Sequence, residues 1–159
     1  MKVRDIMTKN VIACQAQTTV EEAARLMYLN GLTGLPVLNE QDEIVGIITE
    51  QDLVKVEGHL HLPITFTFLG SIVSLGGGEV PQQLERLLAS QVKELMTKEV
   101  ITIAPEAPIE DLAELFLHKK VNPVPVVTDD KLVGIVSRAD IVKLIAGETK
   151  EFQPPVPRL

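Results

Sequence analysis

The hydrophobic residues of the chain follow helical spacing in two stretches. Val20, Ala23 and Met27 lie three or four residues apart, as do Leu112 and Phe116 further along. Side chains at this spacing share one face of an α-helix, so both stretches are predicted to be amphipathic helices. The polar positions between them then face solvent.

Residues that commonly start and stop helices flank both stretches. Thr18 with Glu21 resembles a capping box, in which a hydroxyl and a carboxylate bond the free amides of the first turn. Asn30 and Gly31 are typical of a helix end, and Pro108 suits a first helical turn. The sequence therefore predicts helix starts near residues 18 and 108.

Short runs of β-branched and aliphatic residues predict the strands. These runs are residues 11–13, 35–38, 44–48, 100–103, 124–127 and 132–136. Polar turns at residues 39–42 and 129–130 are predicted to close a hairpin in each half. A further helix is predicted to begin near Thr49 and near Ser137. Each half therefore has the predicted order β-α-β-β-α.

The two halves are copies of one another. Residues 3–9, VRDIMTK, recur as residues 92–98, VKELMTK, at an offset of 89 residues. Gly46 recurs as Gly134, so the offset falls to 88 within the second hairpin. A β-α-β-β-α unit of this size leaves one sheet face uncovered, so each half is expected to need the other. The predicted fold class is α/β (α+β).

The duplication predicts four parts of the chain. They are repeat 1 at residues 1–57, an insert at 58–90, repeat 2 at 91–147 and a proline-rich tail at 148–159. In the insert, the alternation around Phe66 and Phe68 predicts one strand, and the glycines at 76–78 predict a break. Residues 84–92 then predict an amphipathic helix.

Composition narrows the classes of function. Apolar residues make up 45 % of the chain and aromatic residues only 3 %, which predicts an aliphatic core. The net charge of −7 disfavours nucleic acid as a partner, because a surface this acidic repels phosphate. The single cysteine, Cys14, cannot form an intrachain disulfide, and no apolar run has the length of a membrane span. We therefore expect a soluble, cytoplasmic protein without a membrane partner.

One motif with a candidate ligand-binding role occurs twice, at residues 46–52 and 134–140. It consists of a glycine, a Thr or Ser three residues later and an Asp three residues after that. The amides of a helix start suit a phosphate, and the carboxylates of Asp52 and Asp140 can accept hydrogen bonds from a ribose diol. Simple helix capping by Thr49 and Ser137 explains the same spacing. The motif alone leaves both interpretations open.

In its wider setting the chain resembles the cystathionine-β-synthase (CBS) domain family in its tandem, two-repeat form. The resemblance rests on residues 5–8 and 94–97, Leu-Pro-Val at 35–37, Val-Pro-Val at 124–126 and the two glycine–Thr/Ser–Asp motifs. It covers residues 3–57 and 91–146 and leaves out the insert. It implies two repeats packed sheet to sheet about a pseudo-twofold axis, with clefts that bind AMP, ADP, ATP or S-adenosylmethionine.

The resemblance also implies the ligand-binding residues. One cleft would use Thr49 and Asp52 with Thr97, Ile101, Asn122 and Val124, and the other Ser137, Arg138 and Asp140 with Thr8, Ile12, Thr33 and Leu35. The Asp residues would hold the ribose, and the hydroxyls and Arg138 the phosphates. Glu50 stands where the second motif has Arg138, so the Asp140 cleft is expected to prefer phosphorylated ligands. Pro123 in place of Gly34 is expected to reshape the backbone at the first cleft.

The expected function is a regulatory sensor of an adenosine-containing ligand, which is AMP, ADP, ATP or S-adenosylmethionine with AMP or ATP favoured. The sensor is expected to act on a separate effector protein. The alternative is a ligand-free structural or dimerisation module. The sequence shows no catalytic constellation, so we expect no enzyme activity and no catalytic cofactor. His59 and His61 are weak candidates for a metal site, and none is predicted. A homodimer is expected through spare apolar residues at positions 26, 29, 115 and 117.

Overall fold

The computed structural model describes residues 1–57, 65–68, 71–74 and 82–147, which form a mixed α/β protein. The helices are α1 (Val3–Ile6), α2 (Val20–Asn30), α3 (Glu50–Glu57), α4 (Gln82–Ala89), α5 (Val92–Leu95), α6 (Ile109–Glu114) and α7 (Arg138–Ile145). The strands are β1 (Cys14–Gln15), β2 (Gly34–Leu38), β3 (Ile44–Thr49), β4 (Thr65–Phe68), β5 (Ser71–Ser74), β6 (Val124–Thr128) and β7 (Lys131–Val136). A π-helical segment, Leu115–Lys119, continues α6.

The chain divides into two compact units, and each combines parts of both repeats. Unit 1 consists of Met1–Val11 and Ile101–Leu159, and unit 2 is Ile12–Val100. The segment that leads into repeat 1 therefore folds with the body of repeat 2. The segment that leads into repeat 2 folds with the body of repeat 1.

Unit 2 contains a three-stranded sheet in the order β1-β2-β3. Strand β1 runs parallel to β2, and β2 pairs antiparallel with β3 as the predicted hairpin. The side chain of Asn39 closes the turn, because its Oδ1 accepts hydrogen bonds from the amides of Gln41 and Glu43. The core beneath this sheet is made of Cys14, Ala23, Met27, Leu35, Val37, Ile48 and Val92.

Unit 1 repeats this architecture with shorter pairing. Strands β6 and β7 form an antiparallel hairpin, and Ile103 contributes a single parallel bridge to Val126. This bridge is the counterpart of the Cys14–Val37 pair in unit 2. The core consists of Val3, Ile103, Leu112, Phe116, Val124, Val126 and Val136, each the duplicate of a core residue in unit 2.

The helix boundaries confirm some predictions and correct others. Helix α2 ends at Asn30, and Gly31 caps it in the left-handed conformation (φ 61°). Its N-cap, however, is Thr19, whose hydroxyl accepts a hydrogen bond from the amide of Glu22, so the predicted Thr18 start was one residue early. Pro108 is likewise the N-cap of α6 and lies just outside its first turn.

The strand predictions also needed correction. Pairing begins at Cys14, after the predicted run 11–13, and residues 100–103 contribute only the bridge at Ile103. Strand β5 was not predicted, and the predicted helix over 84–92 is two helices, α4 and α5. The glycines at 76–78, the histidines at 59 and 61 and the tail at 148–159 lie outside the described residues. Within the described segments, none of the helices has both the length and the apolar character needed to cross a membrane.

Candidate functional site

The two glycine–Thr/Ser–Asp motifs occupy equivalent places in the two units. In each, the glycine lies within the second strand of the hairpin, β3 or β7. The hydroxyl residue, Thr49 or Ser137, immediately precedes a helix, and the Asp lies in the first turn of α3 or α7. The duplication therefore extends from sequence to local geometry.

Each aspartate caps its own helix. In unit 2, Oδ2 of Asp52 accepts hydrogen bonds from the amide and the hydroxyl of Thr49, both at 2.9 Å. In unit 1, Oδ2 of Asp140 accepts from the amide of Ser137 at 2.7 Å and from its hydroxyl at 2.9 Å. This geometry matches the capping interpretation of the motif. The cap uses one oxygen, Oδ2, of each carboxylate.

The other carboxylate oxygen faces a lysine one helical turn further on. Oδ1 of Asp52 lies 4.0 Å from Nζ of Lys55, and Oδ1 of Asp140 lies 3.7 Å from Nζ of Lys143. The aspartate side chains are only 10 % and 12 % exposed, whereas both lysines are mostly exposed. The i, i+3 spacing of these pairs is visible in the sequence and is typical of ion pairs along one helix face.

Several predicted ligand residues of unit 2 lie next to Thr49. Gly34 pairs with Thr49 across the β2–β3 hairpin, and Leu35 pairs with Ile48. The backbone carbonyl of Thr33 accepts a hydrogen bond from the amide of Glu50 at 3.0 Å.

Thr97 reaches the same hairpin from the segment that leads into repeat 2. Its backbone exchanges two hydrogen bonds with Ile47, at 2.9 and 3.0 Å. The structure thus brings Thr97, Thr33, Gly34 and Leu35 to the motif of Thr49 and Asp52 within one unit.

Unit 1 assembles the matching set around Ser137. Thr8 exchanges two backbone hydrogen bonds with Ile135, both at 2.9 Å. Val124 pairs with Val136, and Oδ1 of Asn122 accepts a hydrogen bond from the amide of Arg138 at 3.0 Å. Thr8, Asn122 and Val124 therefore lie beside the second motif.

The structure brings together some of the residues that the family resemblance grouped. Thr97 with Thr49, and Thr8 with Ser137, are grouped as predicted and lie in the same unit. Asn122 and Val124 were grouped with Thr49, and Thr33 and Leu35 with Ser137, but their described contacts are with the motif of their own repeat. Combinations of residues from both units stay predictions.

The predicted ligand residues Ile12 and Ile101 occupy duplicate positions. They are 37 % and 38 % exposed.

The motif glycines permit a close backbone approach, but the approaching group is the protein itself. A Cβ on Gly46 would lie 2.5 Å from the sulfur of Met96 and 3.2 Å from the carbonyl oxygen of Thr97. A Cβ on Gly134 would meet Met7 and Thr8 at the same two distances. The glycines therefore make room for the leading segment of the other repeat.

Arg138 is held in a contact that the sequence did not predict. Its guanidinium donates a long hydrogen bond, 3.4 Å, from Nη2 to the backbone carbonyl of Phe116 in the π-helical segment. Glu50, its counterpart in unit 2, is exposed at the first position of α3.

The remaining candidates have structural explanations. Cys14 is a buried member of the unit 2 core, and burial raises the pKa of its thiol to about 11. His118 lies 3.2 Å from Glu114 as an exposed i, i+4 pair. Among the described residues, no three His, Cys, Asp or Glu side chains are grouped closely enough to hold a metal ion.

The family model for the CBS domain matches residues 3–59 and 92–147, which is more than half of the chain. The chain belongs to the CBS domain family. It is a tandem CBS pair, and its two matched regions coincide with the two copies found in the sequence. The predictions of family and fold class are thereby confirmed.

One relative of this CBS pair has nearly the same length. It is the uncharacterized protein MJ1426 of Methanocaldococcus jannaschii, 32 % identical over 154 residues, with 91 % of each chain covered. Other relatives are much longer. The chain spans 24 % of the homoserine O-acetyltransferases of Methanohalobium evestigatum and Methanosalsum zhilinae, so these enzymes contain a CBS pair as one part.

Two solved structures of similar CBS pairs hold adenosine ligands. The CBS domain pair of protein MJ0100, in complex with 5′-methylthioadenosine and S-adenosyl-L-methionine, matches with a TM-score of 0.70 and 26 % identity, covering 92 % of this chain and 97 % of that one. CBSX2 in complex with AMP matches with a TM-score of 0.69 and 26 % identity, covering 92 % and 96 %.

Proposed function

We propose that this CBS pair is a regulatory module that binds an adenosine-containing ligand at its Thr/Ser–x–x–Asp motifs and acts on a separate protein. The observation that carries the proposal is the duplicated geometry of Asp52 and Asp140. Each is a mostly buried carboxylate with one oxygen fixed by the helix cap and the other beside an exposed lysine. The AMP and S-adenosyl-L-methionine complexes of similar CBS pairs support the ligand class.

The oxygen that the cap does not use, Oδ1, explains how one carboxylate contributes to both the cap and the ligand contact. A carboxylate offers about four lone-pair sites, and the cap uses only Oδ2. Oδ1 of each Asp then accepts from the ribose hydroxyls after Lys55 or Lys143 swings into solvent. The lysine end of each pair is exposed and the Nζ–Oδ1 distances are long, 4.0 and 3.7 Å, so a ligand hydroxyl can replace the lysine.

The two motifs differ in their affinity for phosphate in this proposal. Arg138 is exposed at the start of α7, and its 3.4 Å bond to the carbonyl of Phe116 is weak enough to exchange for a phosphate contact. Glu50 places a negative charge at the corresponding point of α3. The Asp140 motif therefore takes phosphorylated ligands such as AMP or ATP, and the Asp52 motif takes less anionic ones.

A thermal-shift titration tests the proposal. AMP, ATP, S-adenosylmethionine and adenosine, at concentrations well above their dissociation constants, raise the melting temperature if they bind the folded state. The 2′-deoxy form of the best ligand is the matched probe, because it lacks one hydroxyl that the Asp accepts. Equal shifts with guanosine and pyrimidine nucleotides, or no loss on 2′-deoxygenation, would contradict the proposal.

A second candidate is a ligand-free structural module, and the capping geometry favours it. Both carboxylates already have partners, so nothing in the fold requires a ligand. This candidate predicts no thermal shift with any adenosine compound. It also predicts that replacement of Arg138 leaves every measured property unchanged apart from small effects on stability.

A further inference from the structure

A groove of about 690 Å³ lies in unit 2. It opens where the parallel strands β1 and β2 end, and Gln15 and Leu38, the last residues of these strands, line it. The lining does not include Thr49 or Asp52. Crevices at the carboxyl ends of parallel strands are frequent ligand sites, and this volume is in the range that holds a small organic molecule.

The duplicated unit shows what is unusual about the groove. The amide of Lys93 donates to the carbonyl of Ala16 at 3.0 Å, and in unit 1 the amide of Arg4 donates to the carbonyl of Pro105 at the same distance. Lys93 and Arg4 are thus structural counterparts. The residue that follows the acceptor is Gln17 in unit 2 but Glu106 in unit 1.

Two differences separate the units here, because Gln17 stands where unit 1 has Glu106 and Gln91 stands where unit 1 has Lys2. In unit 1, Glu106 pairs with both Lys2 and Arg4, and the hydrogen bond from Lys2, followed by the charge of Arg4, lowers the pKa of Glu106. Gln17 carries no charge. Among the residues that the structure describes, neither Lys93 nor Lys98 has an ion-pair partner. Glu40 is the single carboxylate in the groove lining, so the lining is net positive on a chain with a net charge of −7.

The groove also offers apolar contact. The side chains of Leu38, Val45 and Met96 are partly buried in its wall, and Ala16 lies beside them. A small apolar wall with two lysines in the same lining suits a molecule that combines an organic body with an anionic group. An inorganic ion alone would leave the wall uncovered.

We propose that this groove is a second ligand site, which binds a small organic anion through its phosphate or carboxylate group at Lys93 and Lys98. Unit 1 has no equivalent site in this proposal, because the carboxylate of Glu106 already pairs there with Lys2 and Arg4. The assignment does not depend on the adenosine motifs, since it uses none of their residues.

A titration followed by NMR tests the site in the full chain. The probes are pyrophosphate and citrate, added at low salt, and the readout is the backbone amide shifts of residues 15–17, 38–41 and 98. These amides shift with saturation, and their counterparts at residues 104–106 and 127–130 do not. Saturation with pyrophosphate alone assigns a phosphate ligand, and saturation with citrate alone assigns a carboxylate.

Three substitutions make the test specific. Gln17→Glu copies the neutralisation seen in unit 1 and should weaken binding at least tenfold, and Lys93→Gln should do the same. Lys9→Gln, at the duplicate of Lys98, should leave binding unchanged. Absence of saturable shifts in the groove, native binding by Gln17→Glu, or an equal loss in Lys9→Gln would overturn the proposal. The melting temperature of each variant shows that it is folded, and Gln17→Glu is tolerated because unit 1 already has Glu106 at this position.

Discussion

Each motif aspartate stabilises its own helix before any ligand is considered. The carboxylates of Asp52 and Asp140 accept two hydrogen bonds apiece from the N-cap residue of α3 or α7. Each carboxylate is thus held in place by the fold, at the start of a helix and next to a β-hairpin, where the proposed function needs a ligand contact. Removing it has two separable consequences, one for stability and one for affinity.

Replacing Asp140 should lower both stability and ligand affinity. Asp140→Ala removes the acceptor of the Ser137 amide and hydroxyl, so the free energy of unfolding should fall by about 0.5–2 kcal/mol without ligand. Under the proposed function, affinity for an adenosine ligand should fall by about one to two powers of ten, the equivalent of roughly 1.5–3 kcal/mol. Chemical denaturation and isothermal titration measure the two effects.

Arg138→Ala is the matched control for this variant. It should weaken AMP or ATP, spare adenosine, and leave the cap intact. If Asp140→Ala loses stability yet binds every adenosine ligand as tightly as the native chain, the aspartate is only a cap.

Cys14 illustrates a residue whose chemistry is suppressed by its place in the core. Burial raises the pKa of its thiol from the usual 9.0 to about 11, which leaves little thiolate at neutral pH. The thiol is 7 % exposed and packs in the unit 2 core. Its position favours a packing role over a redox role.

The raised pKa of Cys14 predicts a pH dependence at the alkaline end. A thiol that is harder to ionise in the folded state stabilises that state below pH 9, and this contribution is lost as the pH rises toward about 11. The stability difference between the native chain and Cys14→Ala should therefore shrink between pH 8.5 and pH 11 in denaturation curves. A constant difference over this range would show that Cys14 ionises as easily in the folded chain as in the unfolded one.

At the scale of elements, periodicity predicted the hairpins and the long helices well. The order β-α-β-β-α and the turn at Asn39 are local properties, because strand alternation and turn chemistry act over a few residues. The start of α2 was missed by one residue because two threonines precede two glutamates there. The structure distinguishes them, since the hydroxyl of Thr18 accepts from the amide of Gln15 and leaves Thr19 to cap the helix.

The exchange of leading segments was not predictable from local patterns. Nothing in residues 3–9 or 92–98 indicates which hairpin each segment joins, because the two copies are nearly the same. Pairing of Thr8 with Ile135 and of Thr97 with Ile47 depends on contacts far apart in sequence. The grouping of Asn122 with Thr49 and of Leu35 with Ser137 likewise came from the family resemblance and stays a prediction.

The short helices α1 and α5 complete the cores of unit 1 and unit 2. Helix α1 lies in a separate segment of its unit, whereas α5 belongs to the continuous segment Ile12–Val100. Val3 and Val92 are fully buried there. Val3→Ala should cost roughly 2 kcal/mol, from about 0.8 kcal/mol per buried carbon and a cavity contribution. Native-state hydrogen exchange should then show faster exchange in β6 and β7 than in β2 and β3.

Val92→Ala is the reciprocal control, and it should accelerate exchange in β2 and β3 first. Together the two variants test whether the leading segments belong to the units as assigned. Faster exchange of β2 and β3 in Val3→Ala, with β6 and β7 unaffected, would reverse the assignment.

At the scale of the whole molecule, the duplication extends to the exposed surface. Tyr28 and Leu117 are duplicates of one another and are 57 % and 71 % exposed. Val54 and Val142 form a second such pair, on α3 and α7. Leu26 and Leu115 were predicted to make dimer contacts. They pack against the cores of their own units. We expect these repeated positions to contribute to one contiguous apolar patch, because large exposed apolar patches commonly mark interaction sites.

We predict that these helical surfaces form a homodimer with twofold symmetry, the commonest closed arrangement. Sedimentation velocity at micromolar concentration should show a dimer of the 17.4 kDa chain. Leu117→Glu combined with Val142→Glu should convert it to monomer, because each dimer would then desolvate carboxylates on both sides of the interface. Replacing Glu110, an exposed residue of α6, by Gln is the control, and it should leave the dimer intact.

Unfolding should be concentration-dependent for the native chain and for the control but not for the double variant, since association stabilises only the folded state. A native chain that sediments as a monomer across this range would exclude the dimer, and a double variant that stays dimeric would move the interface elsewhere.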